Sequence, residues 1–246
     1  MKETEILKTM ETGDEKTRED RTGIEEKPQL PAIVHDYLAG RIRKRADKYA
    51  FAAMLKRLEG EARERGIPIV SPEVREYLRF IAENPQIRHV LEIGTATGYS
   101  GIVLADAIRR RGGELVTIEK DGGRAREAAT NFAACGLDNV RLLHGDALEW
   151  IPALTETFDL IFIDAAKGRY PDFYAAAYGK LRAGGLVFID NILFRGYVCG
   201  VFPGRYKTIA RRMGAFIDAL YEGEDDFALL PFGDGVGLVR KRDGTS

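Results

Sequence analysis

The sequence predicts an α/β fold: a mostly parallel, seven-stranded sheet with helices on both faces and an antiparallel C-terminal hairpin. The first observation is that short, nearly all-apolar segments alternate with helical segments after Pro85. Such alternation is typical of a parallel sheet that is buried on both faces. The second is that two further apolar segments flank Gly233-Asp234-Gly235, which indicates a closing β-hairpin.

The N-terminal part of the chain predicts a charged tail followed by a helical cap. Met1 to Pro28 hold six basic and nine acidic side chains and few large apolar ones, too little apolar surface to offset the entropy of ordering. Helical periodicity runs from Leu30 to Arg65. Ser71-Pro72-Glu73 then has the capping serine and the proline of a helix start. We expect a disordered tail over 1–28 and one domain over 29–246, with its helical cap at about 30–84.

The remaining elements follow from where the apolar pattern changes along the chain. Five parallel strands are predicted at His89–Ile93, Glu114–Glu119, Val140–His144, Leu160–Asp164 and Leu186–Asp190. Helices are expected at Gly101–Arg111, Gly123–Cys135, Asp146–Leu154, Tyr170–Leu181 and about Arg205–Tyr221. The hairpin joins Phe227–Pro231 to Val236–Arg240.

Composition excludes several classes of protein. The 246 residues are 45% hydrophobic and 30% charged with a net charge of −1, so a polyanionic partner would need a local basic patch. No apolar run approaches the roughly 18 residues that cross a membrane, and the N-terminus has no apolar signal segment. Two distant cysteines and three scattered histidines argue against a zinc site. We expect a cytoplasmic protein with reduced thiols and no membrane partner.

A glycine turn follows the first predicted strand. In the stretch Glu92–Tyr99 the glycines Gly94 and Gly98 have the spacing Gly-x-x-x-Gly, which lets the backbone approach a ligand closely. This is not the Gly-x-Gly-x-x-Gly spacing that seats a dinucleotide pyrophosphate, so a nicotinamide-dependent dehydrogenase is excluded. Glu92 would repel a diphosphate, but it suits a ligand that carries an ammonium and a sulfonium group.

Acidic residues stand at the ends of all five predicted parallel strands: Glu92, Glu119, Asp146, Asp164 and Asp190. Ligands of an open parallel sheet bind at that edge, so the five acids predict a binding site. Glu119 lies 21 positions after Gly98, where an acid can accept hydrogen bonds from both hydroxyls of a ribose. Asp146 is either a ligand contact or the N-cap of the following helix, and both interpretations remain open.

Two neighbouring strand ends predict a metal site. Asp164 and Asp190 should lie close together, and two such carboxylates repel unless a cation or a shared proton intervenes. With the amide oxygen of Asn191 they form an all-oxygen set that suits Mg²⁺ or Ca²⁺. Lys167 follows Asp164 by three positions, within reach of a group bound there.

These motifs together resemble the divalent-metal-dependent O-methyltransferases, a class I S-adenosylmethionine-dependent family that includes catechol and caffeoyl-CoA methyltransferases. The resemblance covers about Ile67 to Lys241. It implies S-adenosylmethionine and Mg²⁺, or another hard divalent cation, as cofactors, and a homodimer with the N-terminal helices as interface.

The resemblance also implies roles for individual residues. The catalytic residues would be Lys167 and Asp164, and the metal ligands Asp164, Asp190 and Asn191. The contacts to the methyl donor would be Val70, Glu92, Gly94, Ser100, Glu119, Asp146, Ala147 and Asp164. Several relatives carry methionine at the position of Val70. The metal would lower the pKa of an acceptor hydroxyl, whose oxyanion then attacks the sulfonium methyl group.

A basic segment that follows the predicted metal ligands predicts the kind of molecule that accepts the methyl group. Residues 191–217 hold five basic side chains and no acid, and aromatic residues lie between them, which favours a phosphate-bearing substrate. We expect four of the basic residues to bind it: Arg195, Arg205, Lys207 and Arg211. The segment looks most like the bacterial branch that methylates 5-hydroxyuridine at the tRNA wobble position, giving 5-methoxyuridine, so tRNA is the expected partner.

Two alternatives stay open on the sequence alone. An enzyme of the same class could methylate a small catechol or another phenol instead. An apolar segment over the site would suit such a substrate better than the arginine-bearing segment found here. A methyltransferase fold could also serve as a non-catalytic RNA-binding module. The intact set of Asp164, Asp190, Asn191 and Lys167 speaks against that second alternative.

Overall fold

The computed structural model describes residues 30–200 and 203–242. The predicted tail at Met1 to Pro28 lies outside the described residues. The chain divides into two compact units, Met1–Gly40 and Arg41–Ser246. Residues 30–40, the described part of the first unit, are helical. The site lies entirely in the second unit, and the expected single domain over 29–246 stays a prediction.

Helices and strands alternate as the sequence predicts. The helices of the described residues are α1 (Leu30–Ala46), α2 (Ala52–Arg65), α3 (Pro72–Ala82), α4 (Tyr99–Arg109), α5 (Gly122–Ala134), α6 (Ala147–Ala153), α7 (Tyr170–Tyr178) and α8 (Lys207–Glu222). The strands are β1 (His89–Ile93), β2 (Glu114–Glu119), β3 (Val140–His144), β4 (Phe158–Ile163), β5 (Leu181–Asp190), β6 (Asp226–Leu230) and β7 (Val236–Arg240). Short 3₁₀ turns lie at Lys167–Arg169, Tyr197–Cys199 and Gly204–Tyr206.

The seven strands form one sheet in the order β3-β2-β1-β4-β5-β7-β6. Strands β1 to β5 run parallel, whereas β7 runs antiparallel to both β5 and β6. The fold class predicted from the sequence is therefore confirmed. The strand order reverses between β1 and β4, which is where an open α/β sheet binds its ligands, beyond the carboxyl ends of the strands.

Several element boundaries differ from the sequence prediction by one to five residues: β4 begins at Phe158 instead of Leu160, and α7 ends at Tyr178 instead of Leu181. Two of the differences have visible reasons. Strand β5 begins at Leu181 instead of Leu186, because Leu181 pairs with Phe158 before a register shift in the β4–β5 ladder. Helix α4 begins at Tyr99 instead of Gly101, because Gly98 has φ of 91° and directly caps the helix. A left-handed residue at that position ends the turn abruptly.

The core has two layers, one on each face of the sheet. Leu160, Phe162 and Phe188 pack on the face covered by α2, α3 and α4. Their strand neighbours Ile161 and Ile189 pack on the face covered by α6, α7 and α8. Successive strand residues point to opposite faces, so burial on both sides explains the nearly continuous apolar strands. None of the helices in the described part of the chain is long and apolar enough to cross a membrane.

The packing predicts a large loss of stability for one core change. Phe162 is fully buried, and its ring meets that of Phe188 edge to face at 5.5 Å. We expect Phe162→Ala to lower the free energy of unfolding by about 3–5 kcal/mol, through lost transfer energy and the cavity left behind. Urea unfolding measures this. Phe80→Ala is the matched control, because Phe80 is 71% exposed. Equal losses in both variants would contradict the two-layer core.

Candidate active site

A cavity of about 580 Å³ opens at the carboxyl ends of β1, β2 and β4. It lies at the point where the strand order reverses. Seven of the eight residues predicted to contact the methyl donor line it: Val70, Gly94, Ser100, Glu119, Asp146, Ala147 and Asp164. Lys167 also lines it. The cavity therefore brings together side chains that are up to 97 positions apart in the sequence (70 to 167).

The glycine turn forms one wall of the cavity. Gly94 has φ of 101°, and a Cβ at this position would lie 2.0 Å from the carbonyl oxygen of Asp164. Only glycine fits so close an approach of two main chains. The turn is closed by a hydrogen bond from the Gly98 amide to the Thr95 carbonyl at 2.9 Å. Its backbone is therefore fixed next to the end of β4.

Glu119 holds the turn and faces the cavity. Its Oε2 accepts a hydrogen bond from the Ala96 amide at 2.8 Å, and its Oε1 accepts one from the Asp121 amide at 2.8 Å. Ala96 lies in the left-handed region with φ of 46°, and this bond helps to hold it there. Each carboxylate oxygen keeps a second lone pair, so Glu119 can still accept hydrogen bonds from a diol.

Asp146 is the N-cap of α6, one of the two interpretations that the sequence left open, and its contact with a ligand stays a prediction. Its Oδ1 accepts a hydrogen bond from the Leu148 amide at 3.0 Å as the N-cap of α6. Its Oδ2 pairs with Arg169 at 2.8 Å and with Lys120 at 3.1 Å. The hydrogen bond from Arg169 is the main reason that the pKa of Asp146 falls to about 2. Asp146 is thus an ionised cap that also lines the cavity.

Glu92 is the one predicted contact that does not line the cavity. It is fully buried, and it accepts hydrogen bonds from Ser100 and from Thr117 Oγ1 at 2.6 Å. Burial raises the pKa of its carboxyl to about 7. Its Oε1 has no hydrogen-bond partner within the described ranges. Ser100, which bonds to the same carboxyl, does line the cavity, and a cationic donor that reached Oε1 would complete its hydrogen bonding.

The strand register places Asp164 and Asp190 side by side. Ile163 of β4 pairs with Ile189 of β5, so the two acids follow paired residues on adjacent parallel strands. Burial and the nearby charge of Asp164 raise the pKa of Asp190 to about 7. Burial also raises the pKa of Asp164, although Lys167 opposes that effect. Asn191 follows directly in the left-handed region with φ of 53°.

The residues at these strand ends fit a hard divalent cation. Asp190 Oδ1 accepts a hydrogen bond from the Asn191 amide at 2.7 Å. Its Oδ2 is buried without a hydrogen-bond partner among the residues described. A cation would satisfy this oxygen and relieve the repulsion between the two carboxylates. No group of three or more His, Cys, Asp or Glu that could hold a metal occurs in residues 30–200 and 203–242. A cation at these strand ends would take the amide oxygen of Asn191 besides the two carboxylates.

Lys167 lies beside this pair of acids. Its Nζ is 3.5 Å from Asp164 Oδ1, and the side chain is 24% exposed. The short turn that carries it, Lys167–Arg169, packs against α8: Arg212 donates a hydrogen bond to the Gly168 carbonyl at 2.8 Å. The ammonium group is therefore held at the mouth of the cavity next to Asp164.

The four predicted substrate residues lie outside the cavity. Arg195, Arg205, Lys207 and Arg211 are exposed, and none of these four described residues lines it. Three rings form a cluster in the same segment: Phe194, Tyr197 and Tyr206 contact one another at 5.3 to 5.6 Å. The guanidinium of Arg205 lies 4.7 Å from the ring centroid of Tyr206. Arg205 thus contacts this ring cluster just before α8, the helix that contacts the Lys167 turn.

Sequence reasoning missed two residues that shape the site. Arg169 lines the cavity and pairs with Asp146, but the 23 positions between them hide the pair. Asp234 was interpreted only as part of a hairpin turn, yet its Oδ1 accepts a hydrogen bond from the Arg195 amide at 2.5 Å. Its position beside a predicted substrate residue could not be read from local spacing.

Comparison with known proteins assigns the chain to a family. The family described as O-methyltransferase matches residues 47–242. A catechol O-methyltransferase of Niastella koreensis is 37% identical over 142 residues, which are 55% of this chain and 64% of that protein. The chain thus spans less than two thirds of the length of that relative.

Solved structures agree with this match. The O-methyltransferase TomG of Streptomyces achromogenes, involved in tomaymycin synthesis and solved in complex with SAM, is 30% identical. It covers 77% of this chain and 90% of its own, with a TM-score of 0.68. A Staphylococcus aureus protein assigned to the caffeoyl-CoA O-methyltransferases is 25% identical and covers 85% of this chain and 99% of its own, with a TM-score of 0.76. The chain therefore belongs to the O-methyltransferase family and has the class I S-adenosylmethionine-dependent methyltransferase fold.

Proposed function

We propose that this O-methyltransferase transfers the methyl group of S-adenosylmethionine to an aromatic or other acidic hydroxyl, with a divalent cation at Asp164, Asp190 and Asn191. One observation carries the proposal. A single cavity joins the glycine turn and Glu119, which suit a nucleoside, to Asp164 and Lys167, which suit an oxyanion. TomG, with the same fold, was solved in complex with SAM.

Different residues at the cavity would bind different parts of the methyl donor. Glu119 would accept hydrogen bonds from the ribose hydroxyls, since its carboxylate is already oriented by two backbone amides. Asp146 and Ala147 would border the adenine at the start of α6. The unpaired Oε1 of Glu92 would accept a hydrogen bond from the ammonium group, with Ser100 and Val70 beside it.

The acceptor hydroxyl first releases its proton to solvent. The oxyanion then forms an oxygen–carbon bond as the sulfur–carbon bond of the sulfonium breaks, leaving S-adenosylhomocysteine. A divalent cation, when bound, supplies Lewis acidity that lowers the pKa of the acceptor hydroxyl. Asp164 and Asp190, at neighbouring strand ends, would hold that cation together with Asn191. Lys167 stabilises the acceptor oxyanion through its charge and holds it in line with the methyl group. Asp164 keeps Lys167 at this position.

A small catechol or similar phenol is the acceptor that the relatives favour, since the Niastella koreensis protein carries that name. Hydroxyuridine-containing tRNA is the second candidate. It is favoured by four exposed basic residues, Arg195, Arg205, Lys207 and Arg211, of which Arg205 contacts the ring cluster. Within the described ranges none of the four forms an ion pair with an acidic side chain. A homodimer in the cytoplasm stays an expectation from the family resemblance.

Binding of the methyl donor is tested at Glu119. We expect Glu119→Ala to weaken S-adenosylmethionine binding by roughly 1.5–3 kcal/mol, the range for hydrogen bonds to a charged group. Glu119→Gln keeps one acceptor oxygen and should lose less. Isothermal titration calorimetry measures both affinities, and thermal unfolding checks that the turn remains folded. Unchanged affinity in Glu119→Ala would remove this residue from the site.

Metal dependence is tested by removal and replacement of the cation. EDTA should abolish methyl transfer and excess Mg²⁺ should restore it. Mg²⁺ should also raise the melting temperature of the unaltered protein, because a ligand that binds only the folded state stabilises it. Asp190→Asn, which removes the charge of the unpaired oxygen, should lose that stabilisation. Full turnover in EDTA would refute the metal mechanism.

The acceptor is tested by its dependence on salt. Phosphate contacts release counterions, so tRNA affinity should fall by about 0.7–0.9 log units per log unit of salt for each contact. The double variant Arg205→Ala with Lys207→Ala should flatten that slope by about two contacts and leave S-adenosylmethionine binding intact. A small catechol should show almost no salt dependence.

The matched control is the double variant Arg88→Ala with Arg110→Ala. Both side chains are exposed, and both lie at the opposite edge of the sheet, before β1 and after α4. The control should leave the salt slope unchanged. Purified enzyme is given hydroxyuridine-containing tRNA and a simple catechol in parallel. Methyl transfer to the catechol alone would mean that the basic set is only a solvated surface.

A further inference from the structure

Helix α2 lies outside the cavity, yet it holds the glycine turn at two points. None of its described residues, 52–65, lines the 580 Å³ cavity. It nevertheless reaches Tyr99, directly after the turn, and Thr97, within the turn. The first contact is direct, and the second passes through Asn131 of α5.

The first contact fixes Tyr99, which lines the cavity. Tyr99 is 2% exposed, and its hydroxyl donates a hydrogen bond to Glu59 Oε1 of α2 at 2.5 Å. Arg75 of α3, which is 3% exposed, donates to the same Glu59 oxygen at 2.7 Å and to the Tyr99 hydroxyl at 2.8 Å. The three groups form a closed triangle, so rotation of Tyr99 would break its hydrogen bonds to both Glu59 and Arg75.

The second contact fixes the main chain of the turn. Arg57 of α2 donates to Asn131 Oδ1 at 2.7 Å. Asn131 Nδ2 in turn donates to the Thr97 carbonyl at 2.9 Å. Asn131 is 3% exposed, whereas the Arg57 side chain is 48% exposed. The carbonyl of Thr97 is thus held toward Asn131 of α5.

A third contact of α2 with α5 does not reach the turn. Arg65 pairs with Glu127 through two hydrogen bonds of 2.6 and 3.0 Å, and both side chains are partly exposed. Two arginines of α2 thus contact α5, Arg57 through a buried amide and Arg65 through a partly exposed carboxylate. Arg57 is connected to the turn through Asn131, and Arg65 is not.

We propose that Glu59 and Arg57 are positioning residues for the methyl donor. They act through Tyr99 and Asn131 to hold residues 97–99 in the geometry that receives it. The inference rests on the proposed binding of S-adenosylmethionine in this cavity. A helix that precedes every cavity-lining residue in the sequence then sets the affinity of the site without touching its ligand.

The experiment compares Arg57→Met and Glu59→Ala with the control Arg65→Met in the full chain. Each lost charge-assisted hydrogen bond should weaken S-adenosylmethionine binding about tenfold in the first two variants. Calorimetry measures the dissociation constant, and thermal unfolding measures stability. The control should lose similar thermal stability while its dissociation constant stays within about twofold of the unaltered protein.

Two further measurements separate positioning from a purely structural role. At saturating S-adenosylmethionine, kcat of the Arg57 variant should stay within about twofold of the unaltered enzyme while KM for the donor rises. Glu59→Gln keeps an acceptor for the Tyr99 hydroxyl and should recover most of the affinity. Arg57 is half exposed, so its variant carries the test even if Glu59→Ala does not fold.

The outcomes are distinguishable. Donor binding by the unaltered protein with unchanged affinity in both variants overturns this inference and leaves the proposed function standing. Weakening in Arg65→Met equal to that in Arg57→Met also overturns it, because any damage to α2 would then suffice. Failure of the unaltered protein to bind the donor overturns the proposed function, and the inference with it.

Discussion

The main chain at Gly94 passes so close to the carbonyl oxygen of Asp164 that a Cβ would lie 2.0 Å from it. This approach joins the end of β1 to the end of β4, where the strand order reverses. The position of the glycine turn, and through β4 that of Asp164 and Lys167, depends on it. The position of the glycine turn and the position of the acid pair, Asp164 and Asp190, are therefore not independent. A displacement of either strand end would move both.

Two buried acids have carboxylate oxygens that could bind cationic groups. Glu92 and Asp190 each have an oxygen without a hydrogen-bond partner in the described residues, and burial raises the pKa of both to about 7. An unsatisfied buried group costs about 1–3 kcal/mol. Cationic partners, an ammonium group at Glu92 and a metal ion at Asp190, would recover that energy. The fold is less stable than it could be at the positions that the proposed reaction uses.

The sequence predicts most of the sheet and of the cavity wall, because continuous apolar strands ending in acids have few alternative arrangements. It places Asp164 beside Asp190, and the observed register agrees. It does not show that Glu92 is fully buried and does not line the cavity, since strand periodicity does not tell how far a side chain lies from a cavity. It misses the pairing of Arg169 with Asp146 and the contacts of α2 with Tyr99 and Asn131. These contacts join residues 23 to 74 positions apart, and no local pattern encodes them.

The position of β7 between β5 and β6 has a consequence for biosynthesis. A ribosome delivers β5 long before residues 236–240, so one side of β5 remains an unpaired apolar edge while the chain is elongating. Such edges are sites of aggregation in nascent chains. Asp190 ends that same strand and pairs with Val236. Protection of this edge is therefore completed by one late event, the insertion of β7 beside the strand that ends in Asp190.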